Sequence, residues 1–193
     1  MKLGKWCGVI LTTAALAGCA HSYSVRPNLN NVTRDQAATR IEASVAYYIS
    51  SEDLQKQVTT PASGGDRIRY QPYQDIEVGL YKMLSNVFTK VTKVKTPTPS
   101  PSNDFTYVIR PSISTTSSGS SILWWPPSDM SMTLTCTVFD PNGEQVTELV
   151  VTGEGRATST EYLANFTVTG QRASEDALMK MQKALLAAQE LRH

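Results

Sequence analysis

Met130-Ser131-Met132-Thr133-Leu134-Thr135-Cys136-Thr137-Val138 decides the fold of this chain. Apolar and hydroxyl-bearing residues alternate throughout, the period of a β-strand with one face on a core and the other towards solvent. Asp140-Pro141-Asn142-Gly143 follows. Proline presets its backbone angle and glycine accepts a positive one, so a tight turn is expected there. The chain then returns over residues 146–157 as the second strand of a hairpin, in which Gly153 and Gly155 are expected to mark a bulge or bend. Upstream, Phe105, Tyr107, Ile109 and Ile113 alternate with Thr106, Val108, Arg110 and Ser112. Pro111 has no amide hydrogen for a ladder, so this strand is expected to lie at an edge or to bulge there.

A sheet with one apolar face needs a cover, and two segments supply it. Ile76, Leu80, Met83, Leu84, Val87, Phe88 and Val91 recur at helical spacing and predict an amphipathic helix over residues 73–89. Pro72 suits its first turn, and Asp75 and Glu77 suit the positive end of its dipole. Ser174-Glu175-Asp176 reads as the start of a terminal helix, with Ser174 as its cap and a stripe of Ala177, Leu178, Met181, Leu185, Ala188 and Leu191. Ile41, Ala43, Val45, Tyr47 and Ile49 add a further strand by alternation. Between these, residues 51–63 read as a loop with one helical turn near 51–57. Residues 67–70 and 91–95 are short extensions. Residues 96–103, Thr-Pro-Thr-Pro-Ser-Pro-Ser-Asn, form an extended, proline-stiffened connector. Residues 161–170 are ambiguous, with Leu163, Phe166 and Val168 read as lining a loop over the core.

The expected fold class is therefore α+β: a two-layer sandwich, its sheet mostly antiparallel, with two amphipathic helices on one face. In element order across residues 40–190, this plan resembles the small periplasmic lipoprotein domains of the YajG, LptE and penicillin-binding-protein-activator kind, related to the TolB N-terminal domain. No diagnostic motif accompanies that resemblance, and it transfers no binding residues.

The N-terminus carries a more specific signal. Lys2 and Lys5 precede an apolar run from Trp6 to Ala17. The run is shorter than the ~20 residues a membrane-spanning helix needs and right for an export signal. Leu16-Ala17-Gly18-Cys19 ends it. In these residues the chain resembles a bacterial lipoprotein precursor with a lipobox. The resemblance implies cleavage between Gly18 and Cys19, diacylglycerol on the Cys19 sulfur, and a further acyl chain on the new amine. An ordinary secretory signal, or an uncleaved anchor, would share the basic start and the apolar run. The small-residue pair, the cysteine and the spacing together favour lipidation. Each buried methylene contributes about 0.8 kcal/mol, so two or more acyl chains anchor a protein stably. Ala20 follows the cysteine, and in the enterobacterial sorting pattern a residue other than Asp there implies the outer membrane. The expected organisation is a signal peptide over 1–18, a flexible lipidated tether over 19–38 with a short strand near 23–26, and a single α+β domain over 39–193.

The whole chain has 193 residues and a formal charge of +1. Without residues 1–18 it keeps 16 basic and 17 acidic residues, near neutrality, which argues against electrostatic nucleic-acid binding. Of the three cysteines, Cys7 leaves with the signal and Cys19 would be acylated. Cys136 is left without a partner and is expected to be buried. His21 and His193 stand at the two ends, where a catalytic His would be unrestrained, so no catalytic residue, metal site or cofactor is expected. Asp66, Asp75, Glu77, Asp129, Glu154, Glu161, Glu175 and Asp176 read as surface or helix-start groups.

Ile122-Leu123-Trp124-Trp125-Pro126-Pro127 is the candidate contact segment. Large aromatics dominate binding hot spots, and prolines keep a loop presented. Trp124 and Trp125 either meet a partner protein or the membrane interface, or fold back onto the core. The expected function is a non-enzymatic adaptor or accessory subunit of an envelope assembly or transport complex, held to the membrane by its lipid and partnered by an envelope protein. The alternative is a periplasmic lipid- or glycan-binding module using space between helices and sheet.

Overall fold

The computed structural model describes residues 20–97, 104–123 and 125–192. In chain order its strands are β1 (Ala20–Ser22), β2 (Ile41–Tyr47), β3 (Val58–Pro61), β4 (Arg67–Tyr70), β5 (Phe88–Lys93), β6 (Tyr107–Ser118), β7 (Asp129–Phe139) and β8 (Gln145–Arg156). Its helices are α1 (Ser51–Gln55), α2 (Pro72–Val87), α3 (Ser159–Ala164) and α4 (Val168–Ala187), with single turns at Ser63–Gly65 and Gln189–Leu191.

The alternation of residues 130–138 holds position by position. Met130, Met132, Leu134, Cys136 and Val138 are buried, while the residues between them are half exposed. On the outer face hydroxyls pair across strands, as Thr133 with Thr152 and Thr116 with Ser131. The Asp140–Gly143 turn forms as expected. Gly143 has φ +90°, and the Asp140 carboxylate accepts the amides of Asn142 and Glu144.

The main sheet has the order β5-β2-β6-β7-β8. The long β6–β7 and β7–β8 ladders are antiparallel, and the shorter β5–β2 and β2–β6 ladders are parallel. Helices α2 and α4 pack side by side on one face, α4 against β7 and β8 and α2 beside β5. The expected stripes are buried except at the end of the first, where the helix stops at Val87 and Phe88 and Val91 fall instead in β5, Phe88 buried and Val91 half-buried. Ile76, Leu80, Met83, Leu84 and Val87 of α2 meet Ala177, Leu178, Met181 and Leu185 of α4, with Leu191 completing the core. The α+β sandwich with two helices on one face is thus the fold of this protein.

Four expectations are corrected. First, Gly153 and Gly155 mark no bulge, since the β7–β8 register is continuous past both and shifts only between Val138 and Phe139. Instead α4 lies against them. A Cβ on Gly155 would come within 2.6 Å of the Ala173 nitrogen, and one on Gly153 within 2.7 Å of the Ala177 Cα. These glycines exist for close approach, not for bending.

Second, α4 begins at Val168, six residues before the expected cap, and Ser174 is a buried residue whose hydroxyl donates to the Gln171 carbonyl. The ambiguous stretch before it holds α3, opened by a capping box between Thr158 and Glu161. Third, Pro111 sits without a bulge opposite Cys136, in a strand that is central in order. β2 pairs with β6 only as far as Ile109. Beyond it, the amide of Ile113 donates to the Tyr73 hydroxyl. By the two-residue period, the Pro111 nitrogen faces that same ladder-free side.

The fourth correction concerns the tether. Residues 20–38 lie on the body rather than hanging from it. β1 pairs in parallel with β4, in a second sheet of order β1-β4-β3. Tyr23, Val25 and Val32 belong to the core. The segment crosses both main helices: the Val25 amide donates to Asp75, the Asn28 amide to Glu175, Lys82 to the Leu29 carbonyl, and Gln182 to the Thr33 carbonyl. Polar composition suggested a linker, but those polar groups are satisfied by helix side chains while three apolar residues reach inward. The proline connector lies outside the described residues from 98 to 103.

Candidate contact surface

The first strand and the 120s loop meet at one end of the molecule. In β1 the His21 ring stacks on the Trp125 indole, with centroids 4.5 Å apart, and its Nε2 lies 3.2 Å from the Asp66 carboxylate. Tyr23 meets the same indole edge-on at 6.3 Å, and Phe166 meets it at 5.7 Å. Three hydrogen bonds pin the foot of the loop. The Ser63 amide donates to the Trp125 carbonyl, the Ser63 hydroxyl to the Pro126 carbonyl, and the Thr169 hydroxyl to the Pro127 carbonyl. Ser63 and Thr169 are both fully buried, so the anchorage is internal.

Above that foot the loop turns outward. Ile122 is 90% exposed and Leu123 80%, and Phe166 beside Trp125 is 44% exposed. A shallow cleft of about 510 Å³, lined by Ile122, Leu123, Ser128, Thr158 and Tyr162, separates the tip from the body. A pinned base with an apolar tip displays hydrophobic surface, the arrangement of a contact site rather than of a core segment.

Of the residues singled out in the sequence, Trp125 takes an intermediate place: it packs against the core from outside, as the platform of the site. Trp124, Gly18 and Cys19 lie outside the described residues. His21 was expected to be unrestrained and is instead held by a strand, a carboxylate and a ring. Its part in the site had no signal in the sequence, because nothing local says that residue 21 meets residue 125. Phe166 was legible only as an apolar residue in an unassigned stretch.

The carboxylates have structural employment. Glu77 pairs with Lys93, Asp129 and Glu154 with Arg156, Asp176 with Lys180, and Glu175 holds Asn28 and Asn31. Glu161 is pulled down to about 2, first by its hydrogen bond from Arg172 and then by the Thr158 amide and hydroxyl. Cys136 is buried, and desolvation pushes its thiol up to about 12. A thiol so placed supplies almost no thiolate near neutrality. Among the described residues no cluster of three His, Cys, Asp or Glu side chains could hold a metal, and no helix is long and apolar enough to cross a membrane.

No protein family model matches this chain, and no curated protein sequence matches it. Similarity appears among solved structures. A Xanthomonas campestris protein described under the family name DUF330 aligns with 14% identity and a TM-score of 0.51, covering 87% of this chain and 92% of that one. The two share a fold. A minor lipoprotein from Acinetobacter baumannii aligns at 10% identity with a TM-score of 0.38, over 77% of this chain and 94% of that one. At 14% identity the likeness to the Xanthomonas protein concerns the fold alone and transfers no site.

Proposed function

We propose that this protein is a bacterial envelope lipoprotein, tethered through Cys19 to the periplasmic face of the outer membrane, where it acts without catalysis as an adaptor or accessory subunit. The observation that carries the reading is the Leu16-Ala17-Gly18-Cys19 box, whose cysteine immediately precedes β1. Support for adaptor work over ligand storage comes from the packing between the layers. Ile76, Leu80, Leu84, Met132, Leu134, Leu178 and Met181 are each 0% exposed, so the helix–sheet space that a stored lipid or glycan would use is filled by the protein. The exposed hydroxyl face of the sheet is a surface on which an envelope partner can dock.

Membrane fractionation with intact mass measurement tests the anchor. The wild-type chain should sediment with outer membranes as a mature form beginning at Cys19 and carrying acyl mass. Cys19→Ser should lose the acyl mass and either leave the membrane or accumulate as uncleaved precursor. If Cys19→Ser stays membrane-bound at the wild-type mature size, the lipoprotein reading is wrong. Crosslinking in intact cells, followed by purification of the acylated protein, tests the adaptor role. A defined envelope protein should be recovered, and its recovery should fall for Thr133→Lys with Thr152→Lys on the hydroxyl face.

A further inference from the structure

We infer that the apolar tip of the 120s loop, Ile122 and Leu123 together with Phe166 on the Trp125 platform, seats in the interfacial layer of the membrane that carries the Cys19 anchor. The inference rests on the lipoprotein reading and adds to it a second contact with the bilayer, made by protein.

Position carries the argument. Ala20 is already paired with Arg67 in β1, so no free leash separates the acylated residue from the folded body. One peptide link joins Cys19 to Ala20, a reach of about 3.8 Å between Cα atoms. The next residue, His21, is stacked at 4.5 Å on Trp125, and Leu123 stands two residues before that indole. The bilayer surface must therefore lie against this end of the molecule, and the exposed apolar side chains of the loop stand at the same end. Their chemistry fits the location. Tryptophan suits the boundary between headgroups and acyl chains, and a small apolar tip can dip below it. The hydrogen bonds from Ser63 and Thr169 fix the foot of the loop at this end of the body.

Tryptophan emission reads this directly. The chain has three tryptophans; Trp6 leaves with the signal, so the mature protein reports only from Trp124 and Trp125. The full chain is expressed with its own signal, purified in detergent, checked for acyl mass, and reconstituted into phosphatidylethanolamine–phosphatidylglycerol vesicles with or without brominated acyl chains. Bromine should lower the emission at least twofold. Ile122→Asp with Leu123→Asp should reduce that quenching to less than half its wild-type extent, with acyl mass and thermal midpoint unchanged, since both side chains are solvent-exposed. An acylated wild-type protein whose emission is the same in both vesicles overturns the inference, leaves the lipoprotein reading intact and makes the tip a protein-docking face. A mature protein without acyl mass overturns the lipoprotein reading and this inference with it.

Discussion

Replacing Gly155 by alanine adds one methyl group where α4 rests on β8. The new Cβ would lie 2.6 Å from the Ala173 nitrogen and 3.0 Å from the Thr169 carbonyl carbon, and closer still to the Thr169 oxygen. A tolerable carbon–oxygen contact is about 3.3 Å or longer, so the first turns of α4 must retreat by roughly 1 Å. The obstacles are backbone atoms, and no side-chain rotation relieves them. Overpacking of this kind costs about 1–3 kcal/mol, and unrelievable contacts belong at the upper end. Against that, alanine in place of glycine in a strand favours folding by about 0.5–1 kcal/mol. The net expectation is a destabilisation of about 2 kcal/mol. For a domain of this size that lowers the thermal midpoint by about 4–8 °C. Gly153→Ala should act in the same direction, and the double variant should fall short of the sum, because one displacement of α4 relieves both sites. Urea unfolding followed by circular dichroism measures all three. A Gly155→Ala midpoint equal to or above wild type would refute the claim that these glycines admit the helix.

Other consequences are equally open to measurement. Val25→Asp should destabilise by about 3 kcal/mol or more, since it places a charge in the core beside Asp75; a loose tether would tolerate it within about 0.5 kcal/mol in the same urea titration. Maleimide should leave Cys136 unmodified in the native acylated protein and label it fully in denaturant, as mass measurement would show; rapid native labelling would contradict its burial. Burial pushes Tyr23 and Tyr47 each up to about 12, so both favour folding fully below the ordinary phenol range and lose that contribution as pH rises from about 10 through 12. For Tyr23 the rise from 10.0 to about 12 corresponds to about 3 kcal/mol. The Gly170 amide donates to the Tyr23 hydroxyl, so Tyr23→Phe should flatten the alkaline limb of stability by about that amount and, by orphaning that amide, destabilise at pH 7 by about 1–3 kcal/mol; an unchanged alkaline limb would contradict the burial argument.

The helix over Pro72–Val87 and the strand over Asp129–Phe139 were legible within two residues, because each has a strong single-period stripe facing one neighbour. The hairpin was legible because its turn chemistry is local. What escaped reading depends on distant partners. Gly153 and Gly155 look like bend signals until α4 is laid across them. Residues 20–38 look like a linker because their apolar residues, Tyr23, Val25 and Val32, follow no period and their backbone groups find donors and acceptors on helices far along the chain. Ser174 reads as a cap by its neighbours Glu175 and Asp176, yet it lies inside α4, whose start at Val168 carries no such local mark. Within the contact surface, the apolar tip and its prolines were visible, whereas the His21 stack was not, since it joins residues more than a hundred positions apart.

The parallel ladder between β1 and β4 also gives the domain a mechanical polarity. Traction applied at residue 19 would load the pairs Ala20–Arg67, His21–Ile68 and Ser22–Arg69 before any strain reached Tyr23 or Val25. The stack on Trp125 would part at that stage, while the helices and the five-stranded sheet were still whole. A protein stretched between its acyl chains and an envelope partner would thus uncover the His21-stacked face of the Trp125 ring well before it unravelled.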